Sequence, residues 1–237
     1  MSNDSFQFKK FTVRHDRCAM KVGTDGVLLG AWAAGGSRIL DVGTGSGLIA
    51  LMMAQRFPEA QVDAVDIDEA ACSQAEENVA GSPFSGRIRV VHASLQRYVQ
   101  EQALQGQYDA IVSNPPFFTD ALKNPDARRS LARHTDTLSF AELFWGVGQL
   151  LTGDGHFCVV VPADCRERML SEGYIAGFRI HHELFVKTVE RKPVKRVLLD
   201  FSRAPYPVRD IQEECMQAND GERSEWYASL TKDFYLK

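Results

Sequence analysis

Two short strings in this chain carry residue types that can do chemistry. The first is Asp41-Val-Gly-Thr-Gly-Ser-Gly47, an acid two residues ahead of three alternating glycines. Glycine has no Cβ, so its backbone can turn tightly and approach a ligand closely. Asp66 follows 19 residues after Gly47, near the ~20 at which an acid accepts ribose hydroxyls in nucleotide-binding units. No GK[ST] follows the glycines, which excludes a P-loop. The spacing also departs from GxGxxG, in which the third glycine comes three places after the second, and this disfavours a dinucleotide pyrophosphate site. The second string is Ser113-Asn-Pro-Pro-Phe-Phe118. Proline fixes φ and lacks an N–H, so the pair ends the preceding strand and forms a stiff loop at its end. That loop either offers Asn114 and the rings of Phe117 and Phe118 to a ligand or folds the rings back into the core as a plain turn.

Other reactive side chains are less organised. Five cysteines, at 18, 72, 158, 165 and 215, include no CxxC pair, which argues against a disulfide framework or a cysteine zinc site. Adjacent His181 and His182 point to opposite faces of a strand, so no joint metal role is expected, and no metal is expected elsewhere. Arg128, Arg129, Arg133 and His134 lie in a polar loop running to about Thr137 and are candidate contacts to a polyanion. The net charge of -4 hides local basic segments. Residues 187–209 carry seven Lys/Arg against two acids, and residues 1–21 carry five against two. Lys192, Lys195 and Arg196 are the candidate substrate contacts of the first of these.

These strings are positioned by an alternation of elements. Strands are predicted at 38–42, 61–67, 87–93, 108–114, 155–162, 179–186 and 195–202. Helices are predicted between them, including a nearly all-apolar one after Gly47 and one opened by the capping box Ser139-Phe-Ala-Glu142. Alternation of this kind predicts an α/β fold, a doubly wound, mostly parallel seven-stranded sheet with helices on both faces. In such a sheet ligands bind beyond the carboxyl ends of the strands, where both strings fall. At 237 residues a single domain is expected, with residues 1–37 covering the site and 38–237 forming the core. No apolar run approaches a membrane helix and no signal core opens the chain, so a cytoplasmic protein is expected.

The string Asp41–Gly47 resembles motif I of class I methyltransferases, Rossmann-like enzymes that bind S-adenosylmethionine (SAM). Asn114-Pro-Pro-Phe117 resembles the motif of those that methylate planar amino groups: adenine N6, cytosine N4 or glutamine amide. The strings "MKVGTDGVLLGAW", "DVGTGSGLIALMMAQRFP", "SNPPFF", "ARHT" and "KPVKRVLLDFS" together are similar to the bacterial tRNA1(Val) (adenine(37)-N6)-methyltransferases over nearly the whole chain. The resemblance implies tRNA as partner, and N6-methyladenosine beside the anticodon as product. It implies cofactor contacts from Lys21, Thr24, Asp25, Asp41, Gly43, Thr44, Gly45, Asp66, Ile67, Ser94 and Asn114. Catalysis would fall to Asn114, Pro115, Pro116 and Phe117, with Phe117 stacking on the target base. Ser94 stands where such enzymes often carry an acid. The alternatives are a glutamine methyltransferase acting on release factors, which usually has an added N-terminal helical domain, a non-catalytic tRNA-binding protein with this fold, and an NAD-dependent oxidoreductase. Nothing in the sequence sets the oligomeric state, for which a monomer is favoured.

Overall fold

A computed structural model describes residues 4–18, 20–102, 106–116, 138–205, 209–218 and 221–236. Phe117, Phe118, Arg128, Arg129, Arg133 and His134 lie outside them.

A hairpin, β1 (Ser5–Gln7) and β2 (Thr12–Arg14), precedes α1 (Thr24–Trp32). The main sheet begins with β3 (Arg38–Val42), α2 (Leu48–Arg56), β4 (Gln61–Asp66), α3 (Glu69–Ala80), β5 (Ile88–His92), α4 (Leu95–Gln102) and β6 (Tyr108–Ser113). After the undescribed stretch come α5 (Phe140–Leu150), β7 (Leu151–Pro162), α6 (Arg166–Ile175), β8 (Arg179–Lys187), β9 (Arg196–Ser202), β10 (Asp210–Cys215) and α7 (Glu225–Thr231). The strand order is β10-β8-β9-β7-β6-β3-β4-β5, and β9 alone runs antiparallel to its neighbours.

The central strands are apolar on both sides because both sides are covered. Along β3, Ile39 packs into one core with α1, α2 and Val79 of α3, while Leu40 and Val42 pack into the other with α4, α5 and α6. Helix α2 is buried from Leu48 to Ala54, since α1 covers the side that a surface helix would give to water. The expected capping box is present: the Ser139 hydroxyl accepts from the Glu142 amide while Glu142 accepts from the Ser139 amide.

Two features correct the sequence reading. The main sheet has eight strands rather than seven. The extra one, β10, is an edge strand whose residues Asp210 to Glu213 are exposed, so it carries no apolar alternation for a pattern reading to find. It docks beside β8 partly because Arg209, at its start, and Arg166 of α6 both bind the fully buried Glu183 carboxylate. The second correction concerns His181 and His182. A register shift between Ile180 and His182 sets two residues of β8 against Asp200 of β9, which is a β-bulge. Both imidazoles therefore approach one carboxylate, with Nδ1 at 3.7 Å for His181 and 3.5 Å for His182 from Asp200 Oδ2.

Candidate active site

Strands β3, β4, β5 and β6 end at one edge of the sheet, and the segments leaving them line a cavity of about 500 Å³. That is within the ~300–1,000 Å³ of small-molecule sites. β3 contributes Gly43 and Gly45, β4 Asp66 and Ile67, β5 Ser94, and β6 Asn114, Pro115 and Pro116.

The glycine loop is built by hydrogen bonds from below. Gly43 and Thr44 donate their amides to the carbonyl of Val65, and Gly45 donates to Asp66 Oδ2. Gly43 and Gly45 have φ of 72° and 54°, a region that side chains disfavour. A Cβ built on either would meet nothing within 4 Å. The loop thus presents bare backbone to the cavity, which is room that a ligand can fill. Asp41 does not line that cavity. It is fully buried under the loop, where its Oδ2 accepts from the Thr44 hydroxyl at 2.6 Å and the Ala50 amide at 3.1 Å, while Oδ1 has no partner. Burial pushes its carboxyl up to about 7 against the Thr44 and Ala50 hydrogen bonds. Asp41 and Thr44 therefore shape the loop from beneath instead of facing a ligand.

The other predicted cofactor residues divide. Asp66 is half-buried at the cavity wall, with each carboxylate oxygen already steadied by one amide, of Gly45 and of Asp68. Ile67 is 46% exposed yet lines the cavity, an apolar surface suited to a flat ring. The Ser94 hydroxyl accepts from the Arg97 amide at 3.2 Å and its carbonyl takes the Tyr98 amide. It serves as the start of α4, a task that serine does well. Asn114 is half-buried and Pro115 buried at the root of the turn, and that root is fixed because the Ser113 hydroxyl donates to the Val42 carbonyl of β3. Lys21, Thr24 and Asp25 are not among the cavity's lining residues. Asp25 is ion-paired with Arg196 at the start of β9. This also withdraws Arg196 from the exposed basic set, since its side chain is only 12% exposed. Lys192 and Lys195 are exposed on the loop joining β8 to β9. Because β8 runs parallel to β7 and β6, that loop leaves the sheet at the cavity's edge.

Several lining residues escaped the sequence reading. Cys18 and Met20 reach the cavity from the N-terminal segment. Buried Asn78 on α3 accepts from the Arg14 amide and donates to the Arg14 and Ser46 carbonyls, and Gln74 accepts from the Arg17 amide. These side chains clamp the segment beside the glycine loop. Burial, reinforced by Asp66 and Asp68, pushes the Cys18 thiol up to about 11, so it is a protonated wall residue and no nucleophile at neutral pH. Gln96 lines the cavity from α4 and donates to Glu142, which lines it from α5. Hydrogen bonds from the Ser139 side chain and backbone hold the Glu142 carboxyl below the usual range, so it stays ionised. The position of Gln96 just beyond a strand's carboxyl end was a usable signal; Glu142 showed only as a helix cap.

The cavity thus brings together a backbone cradle, an acid placed for a diol, an apolar shelf and a stiff turn rich in hydrogen-bond acceptors. That set fits an adenosine-type cofactor with an acceptor nitrogen opposite it. The model of the methyltransferase small domain matches residues 22–168. A tRNA1(Val) (adenine(37)-N6)-methyltransferase from Parabacteroides distasonis is 48% identical over the whole of both chains. One from Serratia proteamaculans is 47% identical over 98% of this chain and 89% of its own. A crystal structure of a predicted O-methyltransferase from Agrobacterium tumefaciens shares the fold, at a TM-score of 0.71 and 14% identity, over 89% of this chain and 96% of that one. Among the described residues no helix is long and apolar enough to cross a membrane. The cavity, the matched domain and the full-length relatives agree: this chain belongs to the tRNA1(Val) (adenine(37)-N6)-methyltransferase family, within the small-domain methyltransferases.

Proposed function

We propose that this protein transfers the methyl group of SAM to the exocyclic N6 of adenine 37 in tRNA1(Val), as a cytoplasmic enzyme built as one catalytic unit. The observation that carries the reading is the convergence of Asn114 and Pro115 with Gly43, Gly45 and Asp66 on one cavity. SAM, when bound, supplies an electrophilic sulfonium methyl. Asp66 would take the ribose hydroxyls, Ile67 one face of the adenine, and the Gly43–Gly45 backbone the chain between them.

An aromatic amine is a poor nucleophile because its lone pair is delocalised into the ring. The side-chain oxygen of Asn114 and the carbonyl of Pro115 can each accept one N–H of the amine, favouring a pyramidal nitrogen with its lone pair turned to the methyl. The prolines and the Ser113–Val42 bond hold these acceptors in place beforehand, so little ordering remains for the transition state. After transfer the amine is acidic and gives its proton to water, and no strong base is needed. The target adenine must leave its stack to reach the turn; Phe117, next in the chain, would stack on it, a contact worth ~1–3 kcal/mol. Lys192 and Lys195 would meet tRNA phosphates, supplying affinity without base reading.

Incubation with SAM and tRNA1(Val) lacking the modification, followed by digestion to nucleosides, is expected to yield N6-methyladenosine mapped to position 37. Methylation of a release-factor glutamine in place of tRNA would overturn the reading.

A further inference from the structure

His156 of β7, His181 of β8 and Asp200 of β9 converge near the amino ends of β7 and β8, away from the cavity. We propose that these three residues form a binding site for a divalent transition ion of zinc's class, which pins three adjacent strands together.

The geometry starts from the bulge. In a regular strand His181 would face away from His182, but with two residues of β8 opposing Asp200 both rings come to the same carboxylate. His156 approaches from the other flank, its Nδ1 2.9 Å from both Asp200 oxygens. The three potential ligand atoms lie within 4.8 Å of one another. In a tetrahedral site with bonds of ~2.0–2.1 Å, ligand atoms stand about 3.3 Å apart. The separations from Asp200, 2.9 Å to His156 and 3.7 Å to His181, straddle that value. An ion would draw the two imidazoles toward the carboxylate, since the ligand atoms now span up to 4.8 Å.

Two further observations point to a cation. His181 Nδ1 is buried without a hydrogen-bond partner, a lone pair or N–H left idle in a place where that is costly. Asp200 is a carboxylate with a side chain only 3% exposed, and its ion-pair partners among the described residues are all histidines; no Lys or Arg compensates it. A buried charge calls for a partner of opposite sign, and a divalent ion held by two neutral imidazoles supplies one. Two nitrogens and one carboxylate oxygen select zinc-like ions over calcium or magnesium, which favour all-oxygen sets. A water completes the coordination on the open side, where the His156 side chain is 29% exposed. His182, at 43% exposure, stands outside the ligand triad. The ligands are borne on paired strands, which hold them more rigidly than loops would.

The test uses the full chain purified without a metal-affinity tag, stripped with a strong chelator and then titrated with Zn2+ against a competing dye. One equivalent is expected, together with a raised unfolding temperature, since an ion that binds only the folded state stabilises it. His156→Ala, His181→Ala and the near-isosteric Asp200→Asn are each expected to weaken binding by about 100-fold or more and to lose the thermal shift, whereas His182→Ala retains both. Circular dichroism of the stripped proteins checks folding, and Asp200→Asn serves where an alanine variant does not fold. Substoichiometric zinc on the wild type overturns the proposal and leaves the cluster a histidine–aspartate pair neutralised by a proton. Equal binding by wild type and the folded triad variants also overturns it.

Discussion

Replacing Asp41 with Asn tests the reading of the glycine loop. The Asp41 carboxyl is fully buried and is raised from its ordinary 3.8 to about 7. A group whose folded value lies above its unfolded one binds more protons in the folded state, so stability falls as pH rises between the two values. The span of about 3 corresponds to a cost of about 4 kcal/mol, absent below pH 4 and fully present above pH 7. Asn cannot ionise, and its carbonyl can still accept from Thr44 and Ala50. Its NH2 would occupy the place of Oδ1, which has no partner, and an unsatisfied buried donor costs ~1–3 kcal/mol. The variant is therefore expected to be more stable than wild type at pH 8 by about 1–3 kcal/mol. At ~2–4 °C per kcal/mol for a chain of this size, that is about 2–12 °C in Tm. Near pH 4, where the wild-type carboxyl is protonated and only the unsatisfied Asn donor still costs, the order should reverse, with the variant less stable by about 1–3 kcal/mol. Thermal unfolding of the ligand-free proteins from pH 4 to 8 is the assay. A gap that stays constant with pH, or a variant less stable at pH 8, would show that Asp41 is not an ionised group held against burial.

Three more outcomes follow from the geometry. Asn114→Ala removes one of the two acceptors proposed for the amine and is expected to lower kcat by ~10²–10³ while leaving SAM affinity, measured by calorimetry, within a few-fold of wild type. Lys192→Ala combined with Lys195→Ala should weaken tRNA binding and reduce the slope of log K against log salt by about 2 if both meet phosphates, as read by filter binding at several ionic strengths. Arg196→Ala leaves Asp25 without its partner and is expected to cost about 1–2 kcal/mol in urea unfolding, a figure discounted because the Asp25 side chain is 38% exposed. The double variant with Asp25→Ala should recover part of that loss.

Much of the site was legible because its parts are local. A glycine loop, the acid at the end of the next strand and the proline turn are each short strings, and the rule that α/β sheets bind ligands beyond their carboxyl ends joins them without coordinates. The roles were less legible. Asp41 looked like a ligand contact, but burial turns it into a support for the loop; Asp25 and Arg196, distant in sequence, engage each other. Gln96 and Glu142 meet across the cavity from α4 and α5, and no local pattern encodes such a meeting.

The sequence alone determined the strand–helix alternation, the chemistry of the two motifs and the edge of the sheet at which they meet, because hydrophobic period and turn residues act over a few positions. Only the tertiary structure decided the eighth strand, since Asp210 to Glu213 on β10 are exposed and leave no apolar trace. It alone decided which face His181 takes, since one inserted residue reverses side-chain direction along a strand. It likewise decided that Cys18 and Met20 wall the cavity, through Asn78 and Gln74, which hold Arg14 and Arg17 from more than fifty residues away in the chain. Burial and long-range pairing are properties of the folded whole, and they set which acid lines the cavity and which is buried beneath it.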